Sequence, residues 1–196
     1  MPYERSGPGR SFPAVGVTRW DLAAFAWGLA ESTFFVLVPD VLLTAMALKE
    51  PRRAQRACLF AVAGALLGGG LMYAAGLHAP EGARRFLLYL PGIHPGLLET
   101  VRANLQDYGL MALFLGPLRG IPYKIYATLS GAAGIHLLPL MLVSIPARLL
   151  RFSLLSALAG LCGRGLRPLS VRWQFMIHGA LWTGFYAAYF ILMGRG

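Results

Sequence analysis

Six ionisable side chains lie within long apolar stretches of this 196-residue chain. These residues are Glu31, Asp40, Arg119, Lys124, Arg148 and Arg151. A charge at the depth of a bilayer costs several kcal/mol unless it is paired or hydrated, so such residues are candidates for a functional site. Together they carry two negative and four positive charges, a surplus of +2. A positive surplus of this kind suits a phosphate headgroup.

The basic residues of this set fall into two pairs. Arg148 and Arg151 are three residues apart, so they share a face if the segment is a helix. Arg119 and Lys124 flank Pro122, where a helix would be interrupted. A half-helix that begins after this break would direct its partially positive N-terminus toward the same place. Arg148 and Arg151 could instead extend to the cytoplasmic face, but about 11 residues separate Arg151 from the end of the span, roughly 16 Å of helix, which is a long reach. We therefore expect both arginines to face inward.

The acidic residues flank a second proline, Pro39. For Glu31 two roles stay open. It either handles substrate or protons, or it pairs with Arg119 or Lys124 and holds the two breaks together. Asp40 directly follows Pro39 at an expected helix start, and the favoured interpretation is a carboxylate that complements the dipole of the first turn.

The composition indicates an integral α-helical membrane protein. Hydrophobic residues make up 57% of the chain and charged residues 13%, which is too few to cover the surface of a soluble domain. The net charge of +10 would suit nucleic acid, but the arginines cluster in short connections between apolar segments. That distribution is typical of cytoplasmic loops that face anionic lipid, so we expect no nucleic-acid partner. The histidines are scattered, so we expect no metal site and no cofactor.

Five apolar segments follow one another along the chain. They span residues 20–48, 55–78, 108–134, 137–162 and 173–194. The segments 55–78, 137–162 and 173–194 each hold about 20 residues or a few more, which is enough for one helical crossing each. The first and third segments differ, because proline and charge interrupt each of them near its middle. Such a segment either spans the bilayer or enters it and turns back.

The arginine distribution decides between these two possibilities. The connections 49–56 and 163–172 are strongly basic and should share the cytoplasmic side. If segment 108–134 is a re-entrant hairpin, two crossings separate the two connections and they share a side. If this segment spans, three crossings separate them and they lie on opposite sides. We extend the hairpin interpretation to segment 20–48, which has the same build. The result is a flexible cytoplasmic N-terminus at 1–18, a single membrane domain at 19–196, and an amphipathic outer segment at 79–107.

A broken segment followed by a span occurs twice, with opposite orientation. Transporters use such inverted repeats to build a site at the bilayer midplane from facing broken helices. The sequence therefore predicts an all-α integral membrane protein with two oppositely oriented re-entrant helical hairpins in an inverted repeat and about three transmembrane helices. Gly68, Gly69 and Gly70, with Gly64 and Gly76, are expected to allow close helix packing in the second segment.

Several motifs resemble those of the DedA superfamily, whose members are also called SNARE-associated or VTT-domain proteins. ESTFFVLVPDVLL in the first hairpin is similar to its Glu…Pro-Asp/Glu-Val-Leu-Leu signature. GIPYKIYATLSGAAGI in the second hairpin is closer still to the YqaA-like branch. GALLGGGLMYAAG and ARLLRF resemble the glycine-rich span and the basic pair of the later span. The motifs occur in order over about residues 20–165.

The resemblance implies a multi-pass protein of a bacterial inner (plasma) membrane with its N-terminus in the cytoplasm. It implies a lipid transporter, a flippase or scramblase, that acts on an anionic phospholipid or a polyisoprenyl phosphate. The lipid, the oligomeric state, homo-oligomers included, and a coupling to protons stay open.

Two alternatives belong to other functional classes. A membrane-homeostasis scaffold would need no transport activity. A lipid-modifying enzyme would need a nucleophile with a base, or clustered carboxylates for Mg²⁺. The sequence has no Ser–His pair at useful spacing and its acidic residues do not cluster, so we expect that the protein is not an enzyme.

Overall fold

The computed structural model describes residues 16–193, except for the side chains of Pro117, Leu118, Leu192 and Met193. Most of the N-terminal stretch 1–18 that we expect to be flexible lies outside these residues. Nine α-helices and one short 3-10 turn make up the described part of the chain, which contains no strand. The helices are α1 Arg19–Glu31, α2 Asp40–Ala47, α3 Pro51–His78, α4 Pro80–Tyr89, α5 Pro95–Tyr108, α6 Ala112–Leu118, α7 Tyr123–Ala132, α8 Leu137–Gly165 and α9 Val171–Met193. The all-α prediction is confirmed.

Local sequence explains where several of these helices begin. Thr18 and Asp21 form a capping box at the start of α1, in which each side chain accepts a hydrogen bond from the other residue's backbone N–H. Pro51, Pro80 and Pro95 occupy the first position of α3, α4 and α5. Proline suits that position because its missing N–H would have no partner there.

Two helices in the described part of the chain, α3 and α8, are long and apolar enough to cross a membrane. The 28 residues of α3 extend over about 42 Å at 1.5 Å per residue, more than the roughly 30 Å of a hydrocarbon core. Helix α8 carries a row of outward leucines that are each more than half exposed, namely Leu142, Leu150, Leu154, Leu158 and Leu161. An apolar row of this length suits lipid and not water. Helix α9 occupies the third predicted span, and its crossing stays a prediction.

The first broken segment folds into two helices that run in opposite directions. Helix α1 lies parallel to α3, because Gly28 packs against Ala61 whereas the earlier Asp21 pairs with Arg56. Helix α2 then returns, and Ala47 at its end packs beside Pro51 at the start of α3, around Gly160 of α8. The interruption covers residues 32–39 and ends at Pro39, so it is wider than a kink at a single proline.

The second broken segment is interrupted over residues 119–122, and Pro122 caps α7. Helix α7 runs parallel to the last third of α3, from Tyr123 beside Gly69 to Thr128 beside Gly76. Helix α2 packs on α8, and α7 packs on α3. The second helix of the first broken segment, α2, therefore packs on the long helix that follows the second broken segment. The second helix of the second broken segment, α7, packs on the long helix that follows the first.

Glycines allow the close helix contacts that the sequence predicts. A Cβ at Gly64 would lie 1.9 Å from the carbonyl oxygen of Phe25, and one at Gly76 would lie 2.0 Å from that of Thr128. The prediction is confirmed for Gly64, Gly68, Gly69 and Gly76. It is wrong for Gly70, which faces open space.

Helices α4 and α5 fill the predicted amphipathic stretch 79–107. Leu87 of α4 and Val101 of α5 are fully buried, whereas Arg85, Glu99 and Arg102 are exposed. The buried faces join a cluster with α7 and the end of α3. A second cluster lies between α1, α2, the first half of α3 and Phe152 of α8.

The two basic connections lie at the same end of the molecule. The backbone of Leu48 packs against Gly163, and the ammonium of Lys49 donates a 2.9 Å hydrogen bond to the side-chain oxygen of Gln174. This proximity is what the arginine distribution requires if both connections face the cytoplasm.

We expect cysteines at positions 50 and 165 to be labelled from the same side of the membrane by an impermeant maleimide. Glu50→Cys and Gly165→Cys would each be made in a Cys162→Ser background, because Cys162 is exposed and would react itself. Gly82→Cys in α4 is the control at the far end of α3, and it should be labelled from the opposite side. Labelling of positions 50 and 165 from opposite sides would refute the hairpin topology.

Candidate functional site

A buried ion pair joins the end of α1 to the middle of α8. Glu31 is the last residue of α1 and Arg148 lies on α8, and their side chains are each only 7% exposed. A nitrogen of the Arg148 guanidinium (Nη2) lies 2.9 Å from Oε2 of Glu31. The guanidinium also lies over the ring of Tyr123, 4.1 Å from its centroid. We hypothesised Arg119 or Lys124 as the partner of Glu31, and the structure instead gives it Arg148.

A second ion pair lies one helical turn along α8. Arg151 donates to Oδ2 of Asp40, at 2.5 Å. Asp40 is fully buried at the first position of α2, so it occupies the predicted first-turn position and also neutralises an arginine. Its other oxygen, Oδ1, has no hydrogen-bond partner among the residues that the structure describes. Because Arg148 and Arg151 are three residues apart, they lie on the same face of α8, and each forms an ion pair with an acidic residue of the first broken segment.

Lys124 connects the two helix breaks directly. It is the second residue of α7 and is only 2% exposed. Its ammonium donates a 2.7 Å hydrogen bond to the backbone carbonyl of Phe35, within the first break. Among residues 16–193 no carboxylate forms an ion pair with it. Lys124 is therefore a buried cation whose contact is with a neutral oxygen.

A small cavity of about 70 Å³ lies where the two breaks meet. Three charged residues, Glu31, Lys124 and Arg151, contribute to its lining. Residues 36 and 38 line it from the first break, and 120–122 from the second. The ring-bearing residues Phe185, Tyr186 and Tyr189 of α9 line another side. The cavity thus combines charge, irregular backbone and aromatic side chains.

Four of the eight predicted site residues line the cavity, namely Glu31, Pro122, Lys124 and Arg151, and ion pairs join Arg148 to Glu31 and Asp40 to Arg151. Arg119 is exposed and does not line the cavity. Pro39 is fully buried and caps α2, and Pro122 lines the cavity and caps α7. Without Arg119 the buried set carries three positive and two negative charges, a surplus of +1 and not +2.

The sequence interpretation missed several polar groups around this site. The hydroxyls of Tyr123 and Ser144 lie 2.9 Å apart. The ring of Tyr123 packs against the guanidinium of Arg148. The hydroxyl oxygen of Tyr186 accepts a 2.7 Å hydrogen bond from the backbone N–H of Val38. A signal for Tyr186 existed, because it and Tyr189 are three residues apart and share a face of an apolar helix.

Helix α9 also contacts α2 through side chains that do not line the cavity. Thr44 Oγ1 lies 2.9 Å from Nε2 of His178 and accepts a 3.2 Å hydrogen bond from the indole of Trp182. These contacts hold α9 across the first broken segment. In the part of the chain that the structure describes, no three histidine, cysteine, aspartate or glutamate side chains are placed to hold a metal ion.

Comparison with known proteins gives one informative similarity. The chain is similar to the uncharacterized protein HI0703 homolog of Histophilus somni, with 27% identity over 134 residues. The match covers 68% of this chain and 69% of the relative. No family model matches the sequence, and no solved structure matches it. The similarity therefore extends over most of both chains and brings no activity with it.

Proposed function

We propose that this protein is a lipid transporter of a bacterial inner membrane, a flippase or scramblase of the DedA superfamily. Its substrate is a lipid with an anionic phosphate headgroup, either a phospholipid or a polyisoprenyl phosphate. The two broken segments are re-entrant hairpins that enter from opposite faces, and α3, α8 and α9 cross the bilayer. The N-terminus lies in the cytoplasm.

The observation that carries this proposal is the unpaired cation at the cavity. Lys124 is buried, contributes to the cavity lining and forms no ion pair with the rest of residues 16–193. A buried ammonium without a counter-charge is costly, and an anionic ligand that enters the cavity would relieve this cost. Arg151, which is 23% exposed, lines the same cavity and offers further donors.

Backbone geometry adds a second, weaker attraction. Helices α2 and α7 both begin at the breaks, so the unpaired N–H groups of their first turns lie near the charged cluster. The headgroup would occupy this polar region while the acyl chains stay in the hydrocarbon, outside the row of exposed leucines on α8. Irregular backbone at membrane depth is tolerated where it lines such a cavity.

We expect Lys124→Met to reduce lipid transport at least about tenfold, because a charge-assisted contact is worth roughly 1.5–3 kcal/mol. Purified protein would be reconstituted in vesicles that contain a fluorescent phosphatidylglycerol, and its movement between leaflets would be followed by quenching from outside. Methionine keeps the length of the side chain and removes its charge. Lys49→Met is the matched control, because Lys49 lies at the exposed basic end.

The same vesicle assay distinguishes a transporter from a lipid-modifying enzyme and from a scaffold. Headgroup release into the medium would indicate an enzyme, and neither release nor movement would indicate a scaffold. Equal transport by Lys124→Met and the wild-type protein would contradict the proposed site. An imposed pH gradient tests coupling to protons, for which Glu31 is the acidic residue that lines the cavity.

A further inference from the structure

Only one of the two carboxylate oxygens of Glu31 accepts hydrogen bonds within the described residues. The guanidinium of Arg148 and the hydroxyl of Ser32 both donate to Oε2, at 2.9 Å and 3.2 Å. Within residues 16–193 no donor reaches Oε1. Glu31 is 5% exposed and lines the cavity, so Oε1 is the oxygen left to a bound group. Oε1 is therefore an accessible acceptor at the cavity that a bound donor can use.

The charges around the cavity are close to balance. The pairs Glu31–Arg148 and Asp40–Arg151 are each neutral, which leaves the single positive charge of Lys124. One negative charge on a ligand would balance it. A second negative charge would have no counter-charge and would lie close to the carboxylate of Glu31.

We propose, resting on the function proposed above, that the cavity selects a phosphodiester headgroup whose polar substituent donates a hydrogen bond. The phosphodiester, with one negative charge, would lie against Lys124 and Arg151. The substituent donates to Oε1 of Glu31. A hydroxyl keeps the charges balanced, whereas an ammonium leaves the surplus of +1, so the charge balance favours the hydroxyl. Tyr186 and Tyr189 flank the cavity and would contact an ammonium through their ring faces or a hydroxyl through their phenol groups.

A phosphomonoester fits this cavity less well for two reasons. It carries about −1.5 to −2 charges near pH 7, more than Lys124 balances. Its dianion also has no O–H or N–H group in the headgroup, so Oε1 of Glu31 would stay without a donor. The cavity therefore selects against phosphatidic acid and against a polyisoprenyl monophosphate, although both are anionic lipids.

The test compares three lipids with identical acyl chains on the wild-type protein. Phosphatidylglycerol has hydroxyl donors, phosphatidylethanolamine has an ammonium donor, and phosphatidic acid has neither substituent. Binding would be measured by competition in native mass spectrometry, and movement by the vesicle assay. We expect at least one of the two phosphodiesters to bind at least about tenfold more tightly than phosphatidic acid, as one charge-assisted hydrogen bond would give. The better of the two identifies the donor.

Two variants connect the preference to the cavity. Lys124→Met should abolish the tight binding of either phosphodiester, which separates cavity binding from lipid at the outer surface. The double variant Glu31→Leu/Arg148→Leu removes the acceptor without leaving a buried charge, and it should lose the part of the preference for the phosphodiester that the hydrogen bond to Glu31 gives, about tenfold. If the wild-type protein binds phosphatidic acid as tightly as both phosphodiesters, the inference is wrong.

The outcomes distinguish this inference from the proposed function. Selective binding of a phosphodiester without movement between leaflets would overturn transport and support the selectivity. Movement with a preference for phosphatidic acid would support transport and overturn the selectivity. If none of the three lipids binds, the selectivity is wrong, and the proposed transport is then decided by the same vesicle assay with a polyisoprenyl phosphate.

Discussion

Replacing Arg148 with alanine is expected to destabilise the protein by about 3–5 kcal/mol. The reason is that Glu31 would remain buried without its ion-pair partner, since Arg148 is the one residue among those described that forms an ion pair with it. The ring of Tyr123 would also lose the guanidinium that packs on it. The measurement is the unfolding free energy in detergent, followed by tryptophan fluorescence.

Two further variants separate an unpaired charge from lost packing. The double variant Glu31→Gln/Arg148→Met removes both charges and keeps similar volumes, so it should recover most of the loss. Arg119→Ala, at an exposed position, should change the stability by no more than about 0.5 kcal/mol. If the double variant is as unstable as Arg148→Ala alone, the ion pair is not what stabilises this part of the fold.

Replacing Gly64 with alanine is expected to cost about 3 kcal/mol, the upper end of the usual range for overpacking. The new Cβ would lie 1.9 Å from the carbonyl oxygen of Phe25, and a backbone group cannot move aside as the end of a side chain can. Helices α1 and α3 would have to separate, which would also move Glu31 away from Arg148. The measurement is the unfolding temperature in detergent, together with yield in the membrane fraction.

Gly70 provides a matched control in the same helix. A Cβ there meets nothing within 4 Å, so Gly70→Ala should be neutral or stabilise α3 by up to about 1 kcal/mol. Gly76→Ala should resemble Gly64→Ala, because its Cβ would lie 2.0 Å from the carbonyl oxygen of Thr128 in α7. Equal stability of the alanine variants at 64 and 70 would contradict the close packing of α1 on α3.

Sequence alone was sufficient for features that depend on neighbouring residues. The places where the interruptions end follow from Pro39 and Pro122, because proline lacks a backbone donor and suits the start of a helix. The start of the first interruption at residue 32 does not follow from Pro39, and Pro146 lies within α8 without interrupting it. The inward orientation of Arg148 and Arg151 follows from their spacing of three residues and from the cost of charge at membrane depth. The packing role of Gly64 follows from its small size within an apolar helix.

Only the tertiary structure decided which charges meet. The sequence left Glu31 to pair with Arg119 or Lys124, and the structure pairs it with Arg148 and leaves Arg119 exposed. The sequence places Tyr186 and Tyr189 on one face of their helix, but only the structure shows that this face lines the cavity. An ion pair requires that two side chains lie at the same level along the axes of adjacent helices. That level depends on the axial position of each helix relative to its neighbour. Here contacts between residues far apart in sequence, such as Gly64 with Phe25, set that position, and no pattern within one segment encodes it.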